Sequence, residues 1–103
     1  MAANRSITIC GTHLSVTEAE MVAYVMLGLN YKQVSDCLGL EYGTVKNKMH
    51  FLESACNAHS LNLFMRKAFE SGFDFKGCYK GTAILTERHY RLAKRYAPQV
   101  PVA

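Results

Sequence analysis

Apolar residues recur along this chain at helical spacing, in runs separated by short polar or glycine-bearing breaks. The first run is Met21, Val22, Val25, Met26 and Leu29, a periodicity that predicts a helix. Ser15-x-x-Glu18 and Thr17-x-x-Glu20 both fit a capping box, in which hydroxyl and carboxylate satisfy free backbone N–H groups. Gly28 ends the run. Asn30 and Gln33 repeat the capping pattern and open a short second helix, with Val34, Cys37 and Leu38 facing inward and Gly39 as its stop. Within Glu41–Asn57, Val45, Met49, Leu52 and Cys56 recur at steps of four, three and four, which predicts a third helix. Lys46, Asn47, His50 and Glu53 lie on its other side. Ser60 caps a fourth helix with Leu61, Phe64, Met65, Ala68 and Phe69 as its stripe, ended by Gly72. A fifth is predicted over about 86–97: Thr86 caps it, Pro98 stops it, and Leu92, Ala93 and Tyr96 mark a narrow apolar side.

Other segments are less regular. Met1–Ser6 and Gln99–Ala103 are predicted to be loose. Ile7–Cys10 reads as a short strand or an ordered arm, ended by Gly11. Phe73–Gly81, followed by Ala83-Ile84-Leu85, reads as a loop or as a small hairpin pairing with Ile7–Cys10. The fifth helix carries Arg88, His89, Arg91, Lys94 and Arg95. Packing on the core is its first reading, dimerisation the second and DNA-backbone contact the third.

Composition bounds the class. A chain of 103 residues, half of them hydrophobic, suits one domain, 1–103, with one core. The formal charge is +4. Residues 1–40 carry two basic against three acidic side chains, and residues 41–103 ten against five, so the positive charge lies from the third helix onward. No apolar run approaches the roughly 18 residues of a membrane span, and the first fifteen residues lack a secretory core. The expectation is a cytoplasmic protein whose four cysteines are reduced, with Cys37 and Cys56 in the core. Cys56-x-x-His59 has the spacing of half a zinc site, but no second pair matches it. No nucleophile–base pairing and no phosphate loop is visible. No metal, cofactor or enzymatic activity is predicted.

A short helix, a glycine-bearing turn and a longer amphipathic helix match the helix-turn-helix pattern, which an ordinary helical hairpin also fits. The polar face of the third helix presents Lys, Asn and His, side chains that can donate to phosphates and base edges.

From Leu14 to Met65 the chain resembles the LuxR/GerE-type helix-turn-helix domain. Leu14-Ser15-Val16-Thr17-Glu18-x-Glu20 resembles that family's opening Leu-Thr-x-Arg-Glu-x-Glu. Leu27 to Ser35 resembles its Gly-x-x-x-Lys-Glu-Ile-Ala segment. Leu38-Gly39-Leu40 and Thr44-Val45-Lys46 match Leu-Gly-Ile and Thr-Val-Lys. The spacing is ungapped. Glu41 replaces the family's usual Ser cap, Lys48 replaces its His, and Ser54-Ala55-Cys56-Asn57 stands where Lys-Leu-Gly usually closes the recognition helix.

The resemblance implies an all-α fold. A four-helix core over 14–72 would carry an extension, 73–103, with the extra C-terminal helix. It also implies a sequence-specific, DNA-binding transcriptional regulator, usually dimeric, with the third helix in the major groove. Only thirteen residues precede the domain, so no sensor domain is expected in front of it. Carried over by position, Lys46, Asn47 and His50 would face base edges, while Thr44, Lys48, Lys32 and Tyr31 would contact phosphates. The partners implied are double-stranded DNA and a second copy, met through the fourth helix, alone or together with the helix over 86–97. The alternative is a module that keeps the fold but binds another transcription factor or RNA polymerase.

Overall fold

A computed structural model describes residues 7–98. The ends predicted to be loose, Met1–Ser6 and Gln99–Ala103, lie outside the described residues. The described chain is predominantly helical, with five helices and two small strand pairs.

Helix α1 (Val16–Met26) starts at Ser15, whose side chain accepts from the Glu18 N–H while Glu18 accepts from the Ser15 N–H. Ser15, not Thr17, is therefore the cap. Asn30 and Gln33 make the same reciprocal pair at the start of α2 (Tyr31–Leu38). Gly39 ends α2 in the left-handed region at φ 68°, a conformation that costs a side chain more than it costs glycine. Three residues later α3 (Tyr42–Ala55) begins. Its cap position is Glu41, whose side chain makes no capping bond. Helix α4 (Leu61–Ser71) is capped by Ser60, and α5 (Glu87–Lys94) by Thr86.

Helix α1 is the centre of the core. Met21 to Met26 are all buried, so it is covered on every side rather than along one stripe. Helices α2, α3 and α4 pack against it. Val34, Val45, Met49, Leu52, Phe64 and Ala68 close the interior from those helices.

The C-terminal segment covers the remaining side. Gly77 brings its backbone against Ala23, where a Cβ would sit 3.4 Å from the Ala23 carbonyl oxygen. The Tyr24 hydroxyl donates to the His89 carbonyl at 3.4 Å, and the Tyr90 hydroxyl donates to the Lys76 carbonyl at 2.9 Å. Phe73, Tyr79, Leu85, Tyr90, Ala93 and Ala97 join the core. Helix α5 also packs on α2, as its first reading anticipated. Its inner face differs from the predicted one: Tyr90 is buried and Tyr96 is exposed.

The all-α expectation is modified at two places. Strands β1 (Thr8–Ile9) and β2 (Thr12–His13) form one antiparallel hairpin, and β3 (Cys78–Tyr79) and β4 (Thr82–Ala83) form another. The two hairpins do not share a sheet, so of the two readings left open for Phe73–Gly81 the pairing with Ile7–Cys10 is not formed, and the segment makes a hairpin of its own. Each folds on its own left-handed two-residue turn, Cys10-Gly11 and Lys80-Gly81. They meet through a side chain: the Thr8 N–H donates to the Tyr79 hydroxyl at 3.3 Å. A second departure is covalent. Cys10 and Cys56 are joined by a disulfide, where four reduced thiols were predicted. None of the described helices is long and apolar enough to cross a membrane.

Burial raises the phenol pKa of Tyr24, Tyr31 and Tyr90, with the Glu53 hydrogen bond adding to it at Tyr31 and with Tyr90 reaching about 12. Folded values above the ordinary 10 stabilise the fold fully below pH 10, and that contribution is lost as pH rises through the folded values. Alkaline unfolding is therefore expected to begin above pH 10. Tyrosine ionisation followed at 295 nm should coincide with loss of helical circular dichroism. Ionisation of all the tyrosines with the helices intact would refute it.

Candidate nucleic-acid interface

The outward side of α3 follows from its buried side. At 100° per residue, Val45, Met49, Leu52 and Cys56 form the inner stripe, and Asn47 projects almost directly away from it. Thr44, Lys46, Asn47, Lys48 and His50 are all exposed. They do not form one cluster.

Lys46 and His50 lie on the flank that faces α2. The Lys46 ammonium sits 5.9 Å from the centroid of the Tyr42 ring, one turn earlier. The His50 ring meets the Tyr31 ring edge-on at 6.2 Å. Lys48 lies on the opposite flank, 3.9 Å from the Glu18 carboxylate of α1. This pairing follows from α3 packing on α1.

Tyr31 and Lys32 stand in the first turn of α2. The Tyr31 hydroxyl donates to Glu53 of α3, and burial together with that bond raises its pKa. A phosphate contact by Tyr31 would require the Glu53 bond to open. Lys32 pairs with Asp36 at 3.5 Å, an exposed i,i+4 pair that a phosphate can displace at little cost. Among the described residues no carboxylate lies within salt-bridge range of Lys46. Lys46 is thus the readiest cation on this surface.

A cleft of about 680 Å³ runs between the starts of α2 and α4 and the side of α3. Tyr31, Lys32, Tyr42, His50, Glu53 and His59 line it, together with the caps Asn30 and Ser60. It joins the predicted residues Tyr31, Lys32 and His50, and leaves Thr44, Lys46, Asn47 and Lys48 outside.

Tyr42 and Phe51 were not predicted as site residues, yet they are 44% and 62% exposed beside these side chains. Their signal was present. Phe51 falls well away from the Val45–Met49–Leu52 stripe on a helical wheel, and Tyr42 precedes Lys46 by four residues. The electrostatics are also plainer than net charge implied. Lys32, Lys46 and Lys48 share this surface with Glu18, Asp36, Glu41 and Glu53. The surplus of positive charge lies elsewhere, on residues such as Lys67, Lys76, Arg88 and Arg95.

His59 does not extend a metal site here, because the Cys56 sulfur is bonded to Cys10. Among the described residues no group of three metal-ligating side chains comes together.

No protein-family model, curated protein or solved structure matches the chain.

Proposed function

We propose that the chain is a DNA-binding transcriptional regulator that acts as a homodimer and places α3 in the major groove. The observation that carries this reading is the α2–turn–α3 unit. It holds Lys46, Asn47 and His50 exposed on one rigid helix, with Lys32 at the start of the helix packed across it. Lys46 suits guanine O6 and N7, and Asn47 suits adenine N6 and N7. Phe51 adds an apolar contact of the kind a thymine methyl accepts. Lys32, Thr44 and Lys48 would meet phosphates, Lys48 by exchanging Glu18 for the backbone.

A single domain reads few base pairs, so useful specificity needs two half-sites. The exposed, stacked Phe69 and Phe75 rings, with centroids 5.5 Å apart, offer an apolar contact at the end of α4 for a second copy.

Retention of duplex DNA at low salt is the test. Lys46→Ala is expected to weaken binding by about 1–3 kcal/mol and to relax preference at one position. Lys48→Ala is expected to weaken all sequences alike and to lower the salt slope by about 1. If both variants are retained like the wild type, the groove assignment is wrong. Sedimentation with and without DNA tests the dimer, and a monomer in both conditions removes it.

One observation favours a second reading. Carboxylates match the lysines on this surface, and Tyr42 and Phe51 lie exposed on α3. That mixture suits a protein partner, another transcription factor or RNA polymerase, better than bare phosphate. Absence of DNA retention even at low salt would favour this reading.

A further inference from the structure

The described cysteines divide into one pair and two singles. Cys10 and Cys56 are bonded, with Cα atoms 5.5 Å apart and a sequence separation of 46. Cys37 and Cys78 are free and half-buried.

The two members of the pair have different surroundings. Cys56 ends α3 and is 3% exposed, within the core. Cys10 is exposed, at the tip of the first hairpin. There Cys10 and Gly11 have φ values of 52° and 80°. A turn with both central residues left-handed favours Asn-Gly or Gly-Gly, because a Cβ is strained in that region. Cysteine takes the strained place, and its sulfur faces the end of α3.

We propose that Cys10 and Cys56 form a reversible thiol–disulfide exchange site whose co-substrate is a low-molecular-weight disulfide of the glutathione type. In oxidation, the exposed Cys10 thiolate attacks one sulfur of R–S–S–R. A Cys10–S–S–R bond forms and RS⁻ leaves. The Cys56 thiolate then attacks the Cys10 sulfur, closing the Cys10–Cys56 bond and releasing the second RS⁻. The two electrons and two protons given up by the protein thiols leave as two RSH. In reduction, RS⁻ attacks Cys10 and expels the Cys56 thiolate, because the Cys56 sulfur is shielded by the core. A second RS⁻ then attacks the R-side sulfur of Cys10–S–S–R, restoring R–S–S–R and freeing Cys10.

Cys37 is a poor competitor. Burial, then the Asp36 carboxylate, push its thiol pKa up, and the thiolate is the reactive form. The site has a defined mechanical effect. Oxidised, it ties the hairpin tip to the end of the helix that carries Lys46, Asn47 and His50. Reduced, it leaves that hairpin held by packing and by bonds such as Thr8 N–H to Tyr79.

The test equilibrates the full chain in mixtures of reduced and oxidised glutathione, then quenches, alkylates and maps each cysteine by mass spectrometry. Cys10 and Cys56 are expected to convert together, from alkylated to mutually linked, within roughly a hundredfold of equal buffer concentrations. In Cys56→Ala, with its fold checked by circular dichroism, glutathione is expected to accumulate on Cys10. Three outcomes overturn the proposal: a link that persists throughout the reducing range, a link that never forms, or glutathione entering Cys37 or Cys78 ahead of Cys10.

Discussion

Tyr79→Ala is expected to destabilise the entire chain by about 3–5 kcal/mol, the range for removing a large buried aromatic side chain. Tyr79 is 2% exposed. Its ring meets Phe73 edge-on at 5.1 Å, and its hydroxyl accepts from the Thr8 N–H. One side chain thus joins the second hairpin to the first, across 71 positions of sequence. Urea unfolding followed by far-UV circular dichroism should show one transition, moved to lower denaturant, in which all the helices are lost together. Val16→Ala is the control, because Val16 is 75% exposed and lies outside the proposed contacts. A change below about 1 kcal/mol at Tyr79 would mean that residues 73–98 are an appendage to an independently stable four-helix unit.

Opening the Cys10–Cys56 bond is the second large effect. A cross-link over a sequence separation of 46 restricts the unfolded chain enough to contribute about 2–4 kcal/mol. For a domain of this size that is a fall in melting temperature on the order of 10–30 °C on reduction. Cys10→Ser should reproduce the fall in non-reducing buffer, since the position is exposed and no packing is lost. Equal melting curves for the oxidised, reduced and Cys10→Ser forms would show that the bond adds nothing to stability.

The helices were legible because their signals are local. Ser15, Asn30, Ser60 and Thr86 each cap within three residues of their partners, and Gly39 stops α2 by its own backbone preference. The stripe on α3 likewise fixed which of its residues point outward. The exposure of Lys46, Asn47 and His50 followed from it, whereas their neighbours did not. Glu53 holding the Tyr31 hydroxyl and Glu18 standing beside Lys48 depend on how α2 and α1 cross α3. These are contacts between residues 22 and 30 positions apart.

The irregular segments were read least well. Each hairpin has strands of two residues, too short for a period-2 pattern to register. Their left-handed turns carry Cys10 and Lys80 where Asn would have given the signal.

By itself the sequence determined the number and order of the helices, their caps apart from the choice between Ser15 and Thr17, and the outward face of α3, since periodicity and capping act over a few residues. Only the tertiary structure decided that α1 is enclosed on every side, that residues 73–98 complete the core, and that Cys10 meets Cys56. Those outcomes depend on which surfaces remain uncovered once the helices have packed. No short stretch of chain encodes that.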